Sequence, residues 1–104
     1  MHWRVLTTRE FDAAFEKLDR SIRPQIEKEI AQLESNPLVG KPLGYRFFRE
    51  KKAGKHRMYY LIYEELVIVF VVGLSDKKGQ QKAIAAIRQM IPFYREEVRN
   101  RFTL

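Results

Sequence analysis

Leu66 to Leu74 is a run of nine residues, Leu-Val-Ile-Val-Phe-Val-Val-Gly-Leu, without a charge or a side-chain hydrogen-bonding group. Such a run has few structural solutions. It falls far short of the roughly 20 residues that a membrane-spanning helix needs. It does not alternate with polar residues, as a strand with one wet face would. Its Val/Ile content favours extended chain, so it reads as a central strand covered on both faces. With 104 residues the chain is long enough for one domain and too short for two, so residues 1–104 are read as a single domain. An apolar fraction of 45% suffices for one core, and 32% charged residues point to a wetted surface, not a membrane.

Ahead of this run the apolar spacing changes period twice. Residues 3–7, Trp-Arg-Val-Leu-Thr, read as a first short strand. Thr7 and Glu10 have capping-box spacing, which announces a helix. Phe11, Ala14, Phe15 and Leu18 then recur at i, i+3, i+4, i+7 on one face. Asp19–Arg23 is a break, with Ser21 as a cap and Pro24 in the first turn of a second helix. Ile22, Ile26, Ile30 and Leu33 give that helix its apolar face, and Ser35-Asn36-Pro37 ends it.

The second half returns to strands. Tyr45 to about Lys51 reads as one, Lys52–Lys55 as its turn, and His56–Tyr63 as the next. Alternation puts Arg57, Tyr59, Leu61 and Tyr63 on one face and His56, Met58, Tyr60 and Ile62 on the other. From Gln80 a helix is expected, with Ile84, Ile87, Ile91, Tyr94 and Val98 at 3–4 spacing. Pro92 should kink or split it near Ile91, and Asn100–Leu104 should fray. That apolar stripe is either core or a seam facing a partner. The order β-α-α-β-β-β-α predicts an α+β domain: an N-terminal strand and helical hairpin on a mostly antiparallel four-stranded sheet, helices on one side, and a C-terminal helix.

Cysteine is absent, which removes disulfides, thiol nucleophiles and cysteine-bound zinc. His2 and His56 are too few for a histidine-rich metal site. No metal or cofactor is expected. The opening Met-His-Trp-Arg-Val has no basic stretch leading into an apolar one, so no signal peptide is expected and the cytoplasm is the expected compartment.

Charge is unevenly spread. Residues 1–36 carry six Lys/Arg against seven Asp/Glu, residues 37–63 seven against one, and residues 64–104 seven against five, giving +7 in all. A basic block confined to a quarter of the chain is the footprint of a polyanion binder, or else a strand edge protected by lysines. Within it Lys51, Lys52 and Lys55 suit steering of a phosphate backbone. Arg46 and Arg49, three apart, would point to opposite faces of a regular strand. His56 could act as acid or base, though it faces away from Arg57. Arg57 itself could hold a phosphate or stack on Tyr59 or Tyr45.

The element order, the stretches Tyr45-Arg46-Phe47-Phe48-Arg49 and Arg57-Met58-Tyr59-Tyr60-Leu61-Ile62-Tyr63-Glu64-Glu65, and the following Val67–Val72 strand together resemble the RelE/ParE toxin superfamily. The resemblance covers residues 1 to about 90. It implies a toxin of a toxin–antitoxin system with a cognate antitoxin as partner. In the RelE branch the function is metal-independent endonuclease cleavage of messenger RNA on the ribosome. The resemblance makes Arg57, Arg46 and Lys77 the expected catalytic residues. Arg49, Lys51, Lys52, Lys55, His56 and Lys78 are the expected RNA contacts. It also implies contact with operator DNA through the toxin–antitoxin complex. Phe48 stands where such toxins often have lysine, and Ala83 where active ones carry tyrosine or histidine; Tyr94 lies further along. These departures support the alternative, a non-catalytic module: a ParE-like gyrase inhibitor or a degenerate toxin that only binds its antitoxin.

Overall fold

The computed structural model describes residues 2–102. The chain runs β1 (Arg4–Thr7), α1 (Arg9–Glu16), α2 (Arg23–Leu33), β2 (Lys41–Tyr45), β3 (Phe48–Ala53), β4 (His56–Tyr63), β5 (Ile68–Asp76) and α3 (Gln80–Phe102). The strands form one sheet in the order β1-β5-β4-β3-β2. β1 is parallel to β5, and the other neighbours are antiparallel.

The expected α+β architecture is present, with five strands where four were expected. The extra strand is β2, an edge strand containing Pro42 and Gly44. Proline is tolerated at a sheet edge because its missing N–H leaves no ladder bond unmade. Largely exposed on both faces, β2 carries no apolar alternation by which to read it. Gly44 has a φ of +92°, and the irregular register between Pro42 and Tyr45 coincides with it. Arg46 and Phe47 then form a turn, so the expected Tyr45–Lys51 strand is the end of one strand and most of another. β3 runs on to Ala53, and the hairpin turns on Gly54 and Lys55 alone, with Gly54 at a φ of +62°. Glycine adopts that backbone without the clash a Cβ would bring.

Helices cover both faces of the sheet, not one. Phe11, Ile26 and Leu33 from α1 and α2 pack on Met58, Tyr60, Ile62, Val69 and Val71. Ile87, Tyr94 and Val98 from α3 pack on Phe48, Tyr59, Leu61, Tyr63, Ile68, Phe70 and Val72. The two-faced apolar run demands this arrangement, since β5 would otherwise expose one row of Val, Ile and Phe to water. Each such side chain contributes about 1.5–3 kcal/mol when fully buried.

Helix ends depart from the expected caps. Thr7 stays in β1 opposite Val71, and Thr8 is the cap of α1, its Oγ1 accepting from Phe11 N at 3.0 Å. Ser21 bonds the carboxylate of Asp19, and α2 begins at Arg23 with Ile22 at the cap position and no side-chain cap. Pro92 does not split α3, because Tyr94 and Val98 beyond it are buried on the sheet and hold the last turns in place. Asn100 to Phe102 remain helical, Phe102 with Arg4 over its ring at 4.8 Å. Thr103 and Leu104 lie outside the described residues.

Candidate nucleic-acid interface

Alternation along β3 and β4 sorts the basic block between the two faces. Phe48, Glu50 and Lys52 stand opposite Leu61, Tyr59 and Arg57, on the face that carries α3. Arg49 and Lys51 stand opposite Tyr60 and Met58, on the face that carries α1 and α2. A bulge in β5 then adjusts the site. Tyr59 is opposite Gly73 while Tyr60 is opposite Val71, so Val72 is the extra residue. After the bulge Ser75 stands opposite Arg57.

Beyond the end of the α3 face lies an open groove of about 460 Å³, lined by Lys52, Gly54, Lys55, Arg57, Asp76, Lys77 and Lys78. One wall is the β3–β4 hairpin, and the other is the loop from β5 into α3. Five cations face one carboxylate there, and that carboxylate is engaged: Asp76 Oδ1 accepts from Gly79 N at 2.8 Å. Cations this close in a concave surface concentrate a positive field.

Arg57 forms the floor and is only 9% exposed. Its Nε is buried without a hydrogen-bond partner and lies 3.9 Å from Glu50 Oε1. Glu50 is itself buried and accepts from Gln80 Nε2 at 2.7 Å. Beside them the Tyr59 hydroxyl meets Ser75 Oγ at 2.7 Å, and Ser75 donates its proton to the Asp76 carbonyl at 2.9 Å, which makes Tyr59 the donor of that pair. Burial pushes the Tyr59 phenol above its ordinary range; the Ser75 bond opposes this, the Glu50 charge adds to it and the Arg57 charge opposes it. Tyr59 is therefore a fixed, protonated group at neutral pH. The stacking alternative for Arg57 is not adopted: the cation–ring contacts among the described residues are made by Arg4, Arg23 and Arg101.

Arg57, Lys77, Lys78, Lys52 and Lys55 are thus brought together, and the other expected site residues are not. Arg46 lies in the β2–β3 turn, paired to Glu64 at 3.5 Å beside Ile62 and Tyr63. Four residues of β4, roughly 13 Å at strand rise, separate Arg57 from Leu61, and Arg46 is further still. Arg49 is turned inward, donating from Nε to Arg46 O at 2.8 Å and from Nη1 to Leu38 O at 3.1 Å and Gly40 O at 2.6 Å. Lys51 pairs with Glu29 of α2 at 3.3 Å. His56 is half-buried, opposite Asp76, on the face away from Arg57. Phe48 is fully buried, and Ala83 packs against the same core. Tyr94 stacks edge-on against Phe70 at 6.0 Å. It is eleven residues along α3 from Ala83, roughly 16 Å at helical rise, and so far from the groove.

Glu50 and Gln80 escaped the sequence reading. A signal for Glu50 was available: it is the one acid among residues 37–63. Extending the strand to Ala53 would have placed it on the face of Arg57. For Gln80 there was none, because its part depends on where α3 begins.

Residues 2–79, from β1 to the Lys77–Lys78 wall of the groove, match the family described as the ParE toxin of the type II toxin–antitoxin system parDE. The chain belongs to this toxin family. Among solved structures, this ParE-family toxin is similar to a mutant of E. coli toxin RelE in the free state, with a TM-score of 0.74 and 19% identity over 88% of this chain and all of that one. It is also similar to a chain of the toxin–antitoxin complex RelBE2 from Mycobacterium tuberculosis, with a TM-score of 0.67 and 23% identity over 74% of this chain and 93% of that one. For a chain of the archaeal RelE–RelB complex from Pyrococcus horikoshii the TM-score is 0.65 and the identity 16%, over 74% of this chain and 97% of that one. At these identities the likeness is one of fold. A comparison with curated proteins gave no match. Among the described residues of the toxin no helix is long and apolar enough to cross a membrane.

Proposed function

We propose that the groove around Arg57 receives the phosphate backbone of messenger RNA, and that this toxin is a ribosome-dependent mRNA endonuclease silenced by a cognate antitoxin. The observation that carries the reading is the set of five cations around one open groove, with the guanidinium of Arg57 at its floor. Cleavage of RNA by its own 2′-hydroxyl needs alignment of that hydroxyl with the phosphate and stabilisation of charge on the crowded phosphorus. A guanidinium meets phosphate oxygens with two parallel hydrogen bonds, and Arg57 supplies that group. Lys77 and Lys78 on the opposite wall complete the clamp. Lys52 and Lys55 steer the flanking backbone. Tyr59 is committed to Ser75, so proton transfer falls to the lysines on the lip. The antitoxin is supported by family membership and by neighbours solved as complexes with antitoxins. Operator DNA would be met through that complex, and the cytoplasm is where ribosomes are found.

A second reading has its own support. Phe48 is buried in the core and Ala83 half-buried against it, leaving the positions without the polar groups that the RelE branch uses. That favours a gyrase-directed or purely antitoxin-binding module.

Translation of a reporter message in vitro with purified toxin, followed by primer extension, separates the two. Discrete cuts in the ribosomal A site that vanish in Arg57→Ala and fall in Lys77→Ala support the endonuclease. Intact message with inhibited DNA supercoiling by gyrase would refute it.

A further inference from the structure

The carboxylate of Glu50 is buried under the floor of a positive groove. The sheet positions around it hold the apolar Phe48, Tyr59 and Leu61 and the cations Lys41, Lys52 and Arg57. An apolar residue there would stabilise the core at least as well, since a buried ion pair rarely surpasses the packing it replaces. Its geometry is also not that of a stabilising pair. One oxygen, Oε1, both accepts from Gln80 at 2.7 Å and faces Arg57 Nε at 3.9 Å. The Arg57 Nε–H is buried without a hydrogen-bond partner, held by the Glu50 charge alone.

We infer that Glu50 is a positioning residue that aims the Arg57 guanidinium into the groove and ties it to the opposite wall through Gln80. This rests on the reading of the groove as an RNA-phosphate site. With Nε drawn toward Glu50, the Nη groups are what the guanidinium presents to an incoming phosphate. Gln80 is the first residue of α3, directly after Lys77-Lys78-Gly79. The same carboxylate oxygen therefore touches the hairpin wall through Arg57 and the loop wall through Gln80. It sets the distance between the cations on the two sides. A charge under the floor also weakens the field in the groove, so Glu50 trades some RNA affinity for orientation.

Glu50→Gln keeps the shape and an acceptor for Gln80 and removes the charge. In the translation assay the maximal cutting rate is expected to fall about tenfold, with KM unchanged or lowered up to about threefold. In an Arg57→Lys background, where the planar fork is already gone, Glu50→Gln should change the rate by less than about twofold. An unchanged rate in the single variant, or an equal fall in both backgrounds, overturns the inference. The Nε–H resonance of Arg57, followed by NMR, gives a readout that needs no cleavage. It should exchange slowly in the wild type and shift and exchange faster in Glu50→Gln. If the wild type cuts no RNA while this resonance responds, the endonuclease reading fails and the tether stands. If the wild type cuts and neither rate nor resonance responds, the tether fails. Gln80→Ala leaves the buried carboxylate in place and serves if Glu50→Gln does not fold. It should lower the rate about threefold in the same Arg57-dependent way, and no effect on rate or resonance overturns the inference.

Discussion

Arg49→Met separates a basic residue that builds the fold from the cations that line the groove. The Arg49 guanidinium donates to the carbonyls of Arg46, Leu38 and Gly40 and so closes the segment between α2 and β2 onto the start of β3. Hydrogen bonds from a charged donor contribute roughly 1.5–3 kcal/mol each when counted singly. Three made by one group are not additive, and water can reach some of the carbonyls once the head is gone. Methionine keeps most of the stem's packing, so a net loss of about 3–4 kcal/mol is expected. For a domain of about this size each kcal/mol corresponds to roughly 4–8 °C, so the melting midpoint should fall by at least about 12 °C. Urea unfolding followed by tryptophan fluorescence measures the same loss isothermally. RNA affinity of the folded fraction, measured in parallel, should change by less than about twofold, because Arg49 lies outside the groove. A variant of wild-type stability that binds RNA tenfold more weakly would refute the assignment and return Arg49 to the binding surface.

The Tyr60 hydroxyl donates to Pro37 O at 2.6 Å and accepts from Gly40 N at 3.0 Å, so Tyr60→Phe leaves two buried groups unpaired. It should cost about 2–4 kcal/mol in urea unfolding. If the five groove cations each neutralise one phosphate of single-stranded RNA, log K should fall with log salt at a slope of about −3.5. Lys77→Ala should then lower its magnitude by about 0.7, as read by fluorescence anisotropy across a salt series. Val67 holds a φ of +54° after the Glu64–Leu66 turn, so Val67→Gly should raise stability by about 0.5–1 kcal/mol despite the entropy of glycine. Pro92→Ala restores a donor for the Arg88 carbonyl and removes the ring's clash, and should raise stability by about 1–3 kcal/mol in thermal unfolding.

The fold was legible in the sequence wherever burial was strong enough to write a pattern. β4 appears at its expected bounds because Met58 to Tyr63 are buried on both faces, and α1 and α2 appear because one stripe of each is buried and the rest is wet. β2 was missed because an edge strand exposed on both sides has no apolar period. The cap moved from Thr7 to Thr8 because pairing of Thr7 with Val71 in the sheet outweighed the local capping-box spacing. Tertiary partners likewise kept α3 whole through Pro92.

The site was legible as a charge, and only partly as a set of residues. Of the seven basic residues between 37 and 63, Arg46, Arg49 and Lys51 are engaged by Glu64, by main-chain carbonyls and by Glu29. Lys41 lies on the exposed edge strand β2, and Lys52, Lys55 and Arg57 are the members of the block on the groove. Strand alternation makes this division, and alternation can be read only once the strand's bounds are known. The groove recovers its charge from Lys77 and Lys78, about twenty residues downstream in a segment of nearly balanced charge. β5 runs antiparallel to β4 and returns the chain to the start of β4, so the loop after β5 must lie beside Arg57. A composition argument finds an excess of positive charge, whereas topology decides which cations share one groove. The single acid left in the block then acquires a meaning that its charge alone would hide: Glu50 lowers the positive potential and raises the order of the groove. A surface meant only to attract RNA would have no use for it, but a site that must present one guanidinium in one orientation would.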